Sequence, residues 1–309
     1  MNCLVTTTIN SPTKAFLKFL SSEWPDQIIV IGDLKTPHLE YLELEKKIDK
    51  LIYLDPKKQE KLYPKLSNAI GWNCIQRRSL GFLHAHKLGA EIIASVDDDN
   101  IPYENWGENC VVTKEVEYDF YSSTIVFDPL SATNHNDLWH RGFPIQLVKE
   151  KNNIEFKGTK KRKVLAQADL WDGDPDIDAF ERIIWKPDCK FSVKNFYGSN
   201  NVSPFNSQNT FLHRDLMPWY MMLPGVGRMD DIWASFFIQR EFPDSLVFGP
   251  STVFQDRNEQ NLIVNLKDEL LGYCVRTIFH TCCPFFIFLD SIFLSINSFH
   301  FAIQLFLFP

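Results

Sequence analysis

Short apolar runs alternate with helix-like segments through the first hundred residues, and this alternation constrains the fold most. The runs have the length and continuous apolar character of strands buried on both faces, and they lie at residues 4–7, 27–31, 51–54 and 92–96. Helical spacing of apolar residues occupies the segments near 11–20 and 68–88. Ser11 as N-cap before Pro12 predicts the start of the first helix, and Gly89 predicts the end of the second. The pattern predicts an α/β fold with helices on both faces of a mostly parallel sheet.

Polar residues follow these runs at the positions where a ligand of such a sheet binds. Thr7 and Asn10 end the first run, Asp33 and Lys35 follow the second, and Asp-Asp-Asp-Asn at 97–100 follows the fourth. The carboxyl ends of parallel strands share one edge, so these residues should converge. Three adjacent carboxylates repel one another unless a cation, many donors or water surrounds them. The residues alone leave two interpretations, a metal–diphosphate site or a polar turn.

Alternation at an extended strand end assigns different directions to the three acids. Asp97 and Asp99 share a side and would divide the ribose and metal contacts, whereas Asp98 would point away. The metal would be Mn2+ or Mg2+, because hard divalent ions take oxygen ligands and neutralise phosphate.

Charge and cysteine usage exclude several classes of protein. A net charge of −7 argues against a broad nucleic-acid-binding surface, and the basic run at 157–163 is interpreted as a solvated loop rather than a phosphate or partner patch. Seven irregularly spaced cysteines argue against a zinc site or a disulfide framework and favour reduced thiols. The N-terminus lacks the pattern of a secretory signal peptide. The expected location is cytoplasmic, or Golgi or membrane-associated if the C-terminal tail is genuine.

One domain over residues 1–272 is predicted, with a nucleotide-binding half at 1–100 and an acceptor half at 101–272. In the second half, residues 231–240 predict a helix, and 120–126 and 245–248 predict strands. The tail at 273–309 is mostly Phe, Ile and Leu after Arg276. Three interpretations of it stay open: a buried core helix, a membrane anchor, or an abnormal C-terminus from a shifted reading frame.

Eight short motifs occur in an order that resembles the STELLO-type glycosyltransferases and, more distantly, the reversibly glycosylated polypeptides, which are UDP-arabinopyranose mutases. The motifs are T-T-I-N at 7–10, V-I-G-D-L-K-T-P at 30–37, R-R-S-L-G-F-L-H-A at 77–85, D-D-D-N at 97–100, H-R-G-F-P-I at 140–145, A-D-L-W-D-G-D-P-D at 168–176, N-S-Q-N-T-F-L-H-R-D-L at 206–216 and G-R-M-D-D-I-W-A-S at 227–235. The match runs from about residue 4 to 272. The resemblance implies a GT-A fold, nucleotide-sugar binding and Mn2+ or Mg2+.

The donor side of the site is assigned to the first motifs. Thr7 and Asn10 are predicted to contact the nucleobase, and Asp33 the base or ribose, with a turn residue as the alternative for Asp33. Lys35 is a candidate phosphate contact whose alternative is a solvated lysine. Of two adjacent arginines, Arg78 is the one assigned to the nucleotide. Asp97 and Asp98 complete the set of candidate nucleotide-sugar contacts.

The acceptor side is assigned to the later motifs. Arg141 matches the arginine that is glycosylated in the reversibly glycosylated polypeptides, and it is predicted to contact diphosphate or sugar, with a structural salt bridge as the alternative. Asp230 and Asp231 are candidates for the acceptor-orienting or catalytic-base carboxylate, with helix capping as the alternative. Candidates for lining the acceptor or donor-sugar pocket, or otherwise a polar loop, are Trp171, Asp172 and Asp174.

Together these residues predict a metal-dependent glycosyltransferase that uses a nucleotide sugar, with a UDP-sugar as the first expectation and a glycan or protein as the acceptor. Two alternatives remain at this stage. One is a nucleotide-sugar mutase with Arg141 central, and the other is a non-catalytic relative that acts as an assembly partner. No nucleic-acid partner is expected.

Overall fold

The computed structural model describes residues 1–257 and 260–281 of the chain. Its strands are β1 (Asn2–Thr8), β2 (Gln27–Gly32), β3 (Leu51–Leu54), β4 (Ile92–Val96), β5 (Asn100–Pro102), β6 (Glu115–Ser122), β7 (Glu155–Lys163), β8 (Ala166–Gly173), β9 (Tyr197–Gly198), β10 (Asn209–His213) and β11 (Leu246–Gln255). Its α-helices are α1 (Lys14–Ser21), α2 (His38–Glu45), α3 (Pro56–Leu62), α4 (Pro64–Ile70), α5 (Arg78–Lys87), α6 (Ala179–Ile184), α7 (Asp230–Glu241) and α8 (Leu262–Thr281).

The strands form one sheet in the order β3-β2-β1-β4-β10-β8-β11-β9-β6-β7, with β5 paired to β11. The first four of these strands are parallel, as predicted. Antiparallel β10 lies between β4 and β8, and β8 runs parallel to β11. The α/β class is therefore confirmed, with a parallel first half and a mixed second half. The carboxyl ends of β1, β2, β4, β8 and β11 meet the amino end of β10 at one edge.

Helices cover both faces of the parallel half. On one face α5 packs so closely that a Cβ added to Gly81 would lie 2.4 Å from Cγ1 of Val5. On the other face Tyr53 of β3 stacks on Tyr41 of α2 at 5.0 Å, and Tyr41 contacts Phe16 of α1 at 5.5 Å. Strand alternation explains the arrangement, since Val5 and Tyr53 project from opposite sides of the sheet.

Two predicted helix boundaries in this half are wrong. The first helix begins at Lys14 with Thr13 as N-cap, because Thr13 Oγ1 accepts a hydrogen bond from the Phe16 amide at 3.1 Å. The single helix predicted at 68–88 is interrupted after α4, where Gly71 adopts a φ of +78°. A 3-10 turn at Ile75–Arg77 then leads into α5. The interruption turns the 71–74 segment toward the end of β2.

Most elements predicted in the second half exist with shifted ends. The helix at 231–240 is confirmed as α7, and the two strands are found as β6 and β11. The basic run at 157–163 is not a loop but strand β7, which pairs only with β6 at the edge of the sheet. Two of its lysines face acidic partners on β6, with Lys161 opposite Glu117 and Lys163 opposite Glu115. Charged edge strands of this kind resist pairing with another chain.

Helix α8 crosses the predicted boundary between residues 272 and 273. Residues 282–309 of the predicted tail lie outside the described residues, so its three interpretations stay predictions. Among residues 1–257 and 260–281, no helix is long and apolar enough to span a membrane. The described cysteines Cys3, Cys74, Cys110 and Cys189 are free thiols.

Candidate active site

A cavity of about 250 Å³ opens at the carboxyl ends of β1, β2 and β4. Thr7, Asn10, Asp33 and Asp98 all line it, although they are widely separated in the sequence. The predicted convergence of strand ends therefore places these four residues together. Lys35 is exposed in the turn after β2 and is not part of the lining.

Asp33 shapes one wall of this cavity. Its Oδ1 accepts hydrogen bonds from the amides of Leu34 at 2.6 Å and Asn73 at 3.0 Å, and its Oδ2 accepts one from the Cys74 amide at 3.1 Å. The carboxylate thus holds the segment that interrupts the predicted helix, which explains why that helix breaks. The contacts of Asp33 with these backbone amides fit the alternative of a turn residue. The side chain of Asp33 nevertheless lines the cavity.

Asp98 faces the cavity rather than pointing away, so that expectation is wrong. Its Oδ2 accepts hydrogen bonds from Thr8 Oγ1 at 2.6 Å and Asn10 Nδ2 at 3.0 Å. The chain turns directly after β4, and strand alternation no longer applies to these residues. Burial raises the pKa of Asp98, although the hydrogen bonds from Thr8 and Asn10 oppose that shift.

Asp97 is paired with a fully buried arginine. Nη2 of Arg78 lies 2.5 Å from Oδ1 of Asp97, and Nη1 donates to Oγ of Ser207 at 2.8 Å and to its carbonyl oxygen at 3.0 Å. Arg78 Nη2 also donates to Thr7 Oγ1 at 3.3 Å. Arg78 therefore fixes the end of β4 against β1 and the segment before β10.

Asp99 differs from Asp97 because its Oδ1 is buried and has no hydrogen-bond partner within residues 1–257 and 260–281. Burial and the neighbouring charge of Asp97 raise the pKa of Asp99 to about 7, while Arg257 and Gln255 oppose the shift. An unpaired carboxylate oxygen beside a second carboxylate suits a cation. The described residues contain no group of three or more His, Cys, Asp or Glu side chains arranged to hold a metal. A divalent ion held here would need further ligands from a bound diphosphate and water.

Arg141 is the centre of a second charged cluster. Its Nε and Nη2 donate to Asp176 at 2.9 and 2.8 Å, and its Nη1 and Nη2 donate to Asp231 at 3.0 and 3.2 Å. Nη1 also donates to the carbonyl oxygen of Arg228. An arginine has five N–H groups, and each nitrogen of this one is engaged within the protein. The structure thus shows the salt bridges that were the alternative for Arg141, and its contact with diphosphate or sugar stays a prediction.

The turn after Arg141 requires glycine. Gly142 has a φ of +85°, and an added Cβ would lie 2.3 Å from Cγ2 of Ile232 in α7. This close approach brings Arg141 to the first turn of α7, where Asp231 lies.

The two acids of that turn have different surroundings. Asp231 accepts hydrogen bonds from Arg141 and, through Oδ2, from the amide of Ser207 at 3.0 Å. Asp230 accepts one from Gln76 Nε2 at 2.8 Å. Burial and the charge of Asp231 raise the pKa of Asp230 to about 7. Neither acid caps the helix, whose N-cap is Met229. Asp230 is therefore the better candidate for proton transfer, and Asp231 has a structural role.

The predicted pocket residues on β8 are mostly engaged in packing. Trp171 is buried against His140 and Phe191. Asp172 accepts hydrogen bonds from the Tyr103 hydroxyl at 2.7 Å and the Phe191 amide at 3.0 Å. Asp174, which follows the strand, is partly exposed and forms ion pairs with Arg182 and Arg257.

Three residues of the site were missed by sequence reasoning: Asp176, Ser207 and Arg257. The first two lie inside the recognised motifs, but nothing in their spacing reveals partners 35 and 129 residues away. Arg257 lies outside every motif. Through these residues the two clusters are connected, from Asp97 by way of Arg78, Ser207, Asp231 and Arg141 to Asp176.

Comparison with known proteins agrees with the motif order. No protein-family model matches the chain. The chain is 25% identical over 268 residues to the Arabidopsis thaliana protein described as "Probable glycosyltransferase STELLO2", and the match covers 78% of this chain. The chain spans only 34% of that relative's length. The predicted resemblance to STELLO-type glycosyltransferases is thus confirmed.

A solved structure also aligns with this chain. It is glucosyl-3-phosphoglycerate synthase from Mycobacterium tuberculosis in complex with phosphoglyceric acid, with a TM-score of 0.48 and 12% sequence identity. The alignment covers 89% of this chain and 80% of the other. A likeness of this degree says nothing about the activity of this chain.

Proposed function

We propose that the chain is a glycosyltransferase of the GT-A type that transfers a sugar from a nucleotide-sugar donor, first of all a UDP-sugar. One observation carries the proposal: polar residues from three strand ends line one cavity, and Asp99, which follows Asp98 of that lining, has a buried carboxylate oxygen without a hydrogen-bond partner among the described residues. Asp230, whose pKa is raised to about 7, supplies a candidate base. The similarity to STELLO2 supports the same activity. The acceptor class and the cellular compartment remain predictions from the sequence.

The donor would bind along the edge of the parallel strands. The cavity is smaller than the roughly 300–1,000 Å³ of typical ligand pockets, which suits one part of a nucleotide, its nucleoside. Thr7, Asn10 and Asp98 offer polar contacts there. The diphosphate would then lie near Asp97 and Asp99, which are the residues that would hold Mn2+ or Mg2+. When bound, such an ion stabilises the negative charge of the departing diphosphate as a Lewis acid.

Asp230 would act on the acceptor. In transfer, an acceptor hydroxyl oxygen bonds to the anomeric carbon while the bond from that carbon to the phosphate oxygen breaks, and the electron pair leaves with the nucleoside diphosphate. The hydroxyl proton must go to a base. A pKa of about 7 leaves a substantial fraction of Asp230 ionised at neutral pH and still able to accept that proton.

The test uses the full chain with a panel of UDP- and GDP-sugars and Mn2+. We expect release of nucleoside diphosphate, strong loss of release in Asp230→Asn, and retained UDP binding by that variant in calorimetry. Isomerisation of the donor sugar without transfer would instead establish the mutase, although Arg141 has no free donor for that chemistry. Absence of both release and UDP–Mn2+ binding would exclude both enzymes and leave an assembly partner.

A further inference from the structure

Arg257 is a buried arginine whose hydrogen-bonding groups are not satisfied. Its side chain is 7% exposed, and its Nε and Nη2 have no hydrogen-bond partner among the described residues. The nearest carboxylate oxygens are 3.5 Å from Nε, on Asp174, and 4.0 Å from Nη2, on Asp176. These are ion-pair distances rather than good hydrogen bonds.

Burial without hydrogen bonds is costly for a guanidinium. Removing such a charge from water costs several kcal/mol unless charged partners and hydrogen bonds replace the lost water. Buried polar groups of native proteins are therefore almost always bonded, and an exception calls for an explanation. Arg182 is equally buried beside Asp174 and differs in degree: its Nε also lacks a partner among the described residues, but its Nη1 and Nη2 donate to protein oxygens, whereas Arg257 lacks partners at both Nε and Nη2.

The position of Arg257 indicates which kind of ligand would accept its hydrogen bonds. It follows β11, whose end pairs with β5, and the adjacent Asp256 amide donates to the carbonyl oxygen of Asp99 at 3.1 Å. Asp99 itself has an unpaired buried oxygen. An acceptor and two donors without hydrogen-bond partners among the described residues thus lie on adjoining segments, at the edge where the donor substrate is proposed to bind.

We infer that the Arg257 guanidinium binds the diphosphate of the donor nucleotide. The inference rests on the proposed function and adds a residue to it. A diphosphate carries the oxygens that Nε and Nη2 lack, and the flat fork of an arginine matches phosphate oxygens better than a lysine does. A metal–diphosphate complex would provide a partner for both residues, because its cation would bind the Asp99 carboxylate and its oxygens would accept hydrogen bonds from Arg257.

The test compares UDP with uridine on the full chain in the presence of Mn2+. UDP binding is measured by calorimetry and uridine binding by ligand-observed NMR. In Arg257→Gln we expect UDP to bind about 10- to 100-fold more weakly, the range for a lost charge-assisted hydrogen bond, and uridine to bind within twofold of the parent. Arg182→Gln, which removes another buried arginine from Asp174, is the matched control and should leave the preference for UDP over uridine intact.

Two further measurements separate phosphate binding from other roles. Mn2+ alone, followed by electron paramagnetic resonance, should bind Arg257→Gln no more weakly than the parent, because a positive charge near Asp99 has been removed. Arg257→Lys keeps the charge but not the fork and should lie between the parent and Arg257→Gln in UDP affinity. It also serves if the glutamine variant does not fold, as judged by thermal unfolding.

The outcomes are distinct. Equal UDP affinity in the parent and both Arg257 variants would overturn the inference and leave the proposed function standing. Parallel losses for UDP, uridine and Mn2+ would overturn it too, since they would mean general damage to the site. A parent chain that binds neither UDP nor GDP would remove the proposed function together with the inference.

Discussion

Replacing Arg141 with glutamine should destabilise the fold strongly, because two buried carboxylates lose their charged partner. Asp176 would keep the side-chain amide of Asn206 at 2.7 Å and a 4.0 Å ion pair with Arg257, and Asp231 would keep Ser207 and the Ile232 amide. Removing one member of a buried ion pair costs about 3–5 kcal/mol. With an unfolding entropy of roughly 2.1 cal/mol/K per residue, a chain of 309 residues would lose about 5–8 °C in Tm.

The pH dependence of this loss has a definite sign. Burial alone would raise the pKa of Asp176, but the charge and hydrogen bonds of Arg141 outweigh it and hold the pKa well below its usual range. In the parent, the stabilisation that follows from this lowered pKa is complete above the unfolded pKa of about 4 and is lost only as the pH falls below it. In Arg141→Gln burial is unopposed by that charge, so the folded state takes up protons and gains relative stability as the pH falls. The difference in unfolding free energy between the parent and Arg141→Gln should therefore shrink from pH 8 to pH 5.

Chemical unfolding of both proteins at pH 8, 7, 6 and 5, with thermal scans alongside, measures this difference. Lys46→Gln is the control, because Lys46 pairs with Glu43 on the surface with side chains 69% and 58% exposed, where such pairs contribute at most about 1 kcal/mol. A loss below 1 kcal/mol in Arg141→Gln, or a loss that grows on acidification, would refute the idea that Arg141 neutralises the buried pair.

Three further predictions follow from the site. The rate of nucleoside diphosphate release should rise with pH to a plateau, with a midpoint near the pKa of about 7 of Asp230, and a flat profile between pH 6 and 8 would exclude it as the base. Gly142→Ala should cost about 2–4 kcal/mol in unfolding experiments, because its Cβ would lie 2.3 Å from a carbon of α7. The matched control is Gly158, which has the same φ of +85° but no atom within 4 Å of an added Cβ. Gly158→Ala should therefore cost only about 1 kcal/mol, and equal costs for the two variants would contradict the packing argument. In UDP titrations, Lys35→Ala should stay within about twofold of the parent while Asp98→Ala binds more weakly, since only Asp98 lines the cavity; the reverse order would contradict the placement of the nucleoside.

The cavity at the strand ends could be predicted from sequence because it depends on local patterns. Buried parallel strands are recognisable as apolar runs, and their carboxyl ends share an edge in any such sheet. The shared location of Thr7, Asn10 and Asp33 could therefore be predicted without knowledge of their hydrogen-bond partners. The break in the predicted helix at 68–88 was not visible, because it depends on amides that bond to Asp33, 40 and 41 residues earlier.

The second half of the chain could be predicted less well, because its contacts are long-range and its local sequence patterns are weak. The motif around Arg141 predicts contact with a ligand, whereas its protein partners lie 35 and 90 residues away and leave no local signal. The sequence of strand β7 predicts a loop because it lacks an apolar alternation, which an edge strand paired on one side does not need. In both cases the deciding contact involves a distant segment rather than the local pattern.

The acidic sequences at 97–99 and 230–231 follow the same physical arrangement. In each, one carboxylate is fixed by a buried arginine: Asp97 by Arg78 and Asp231 by Arg141. Its neighbour, Asp99 or Asp230, has no such salt bridge, and burial beside the fixed charge raises its pKa to about 7. A purely structural network would gain by replacing these two acids, since a buried carboxyl without a charged partner lowers stability. The glycosyltransferase proposed here would give each acid a use, since Asp99 would meet a cation and Asp230 would accept a proton.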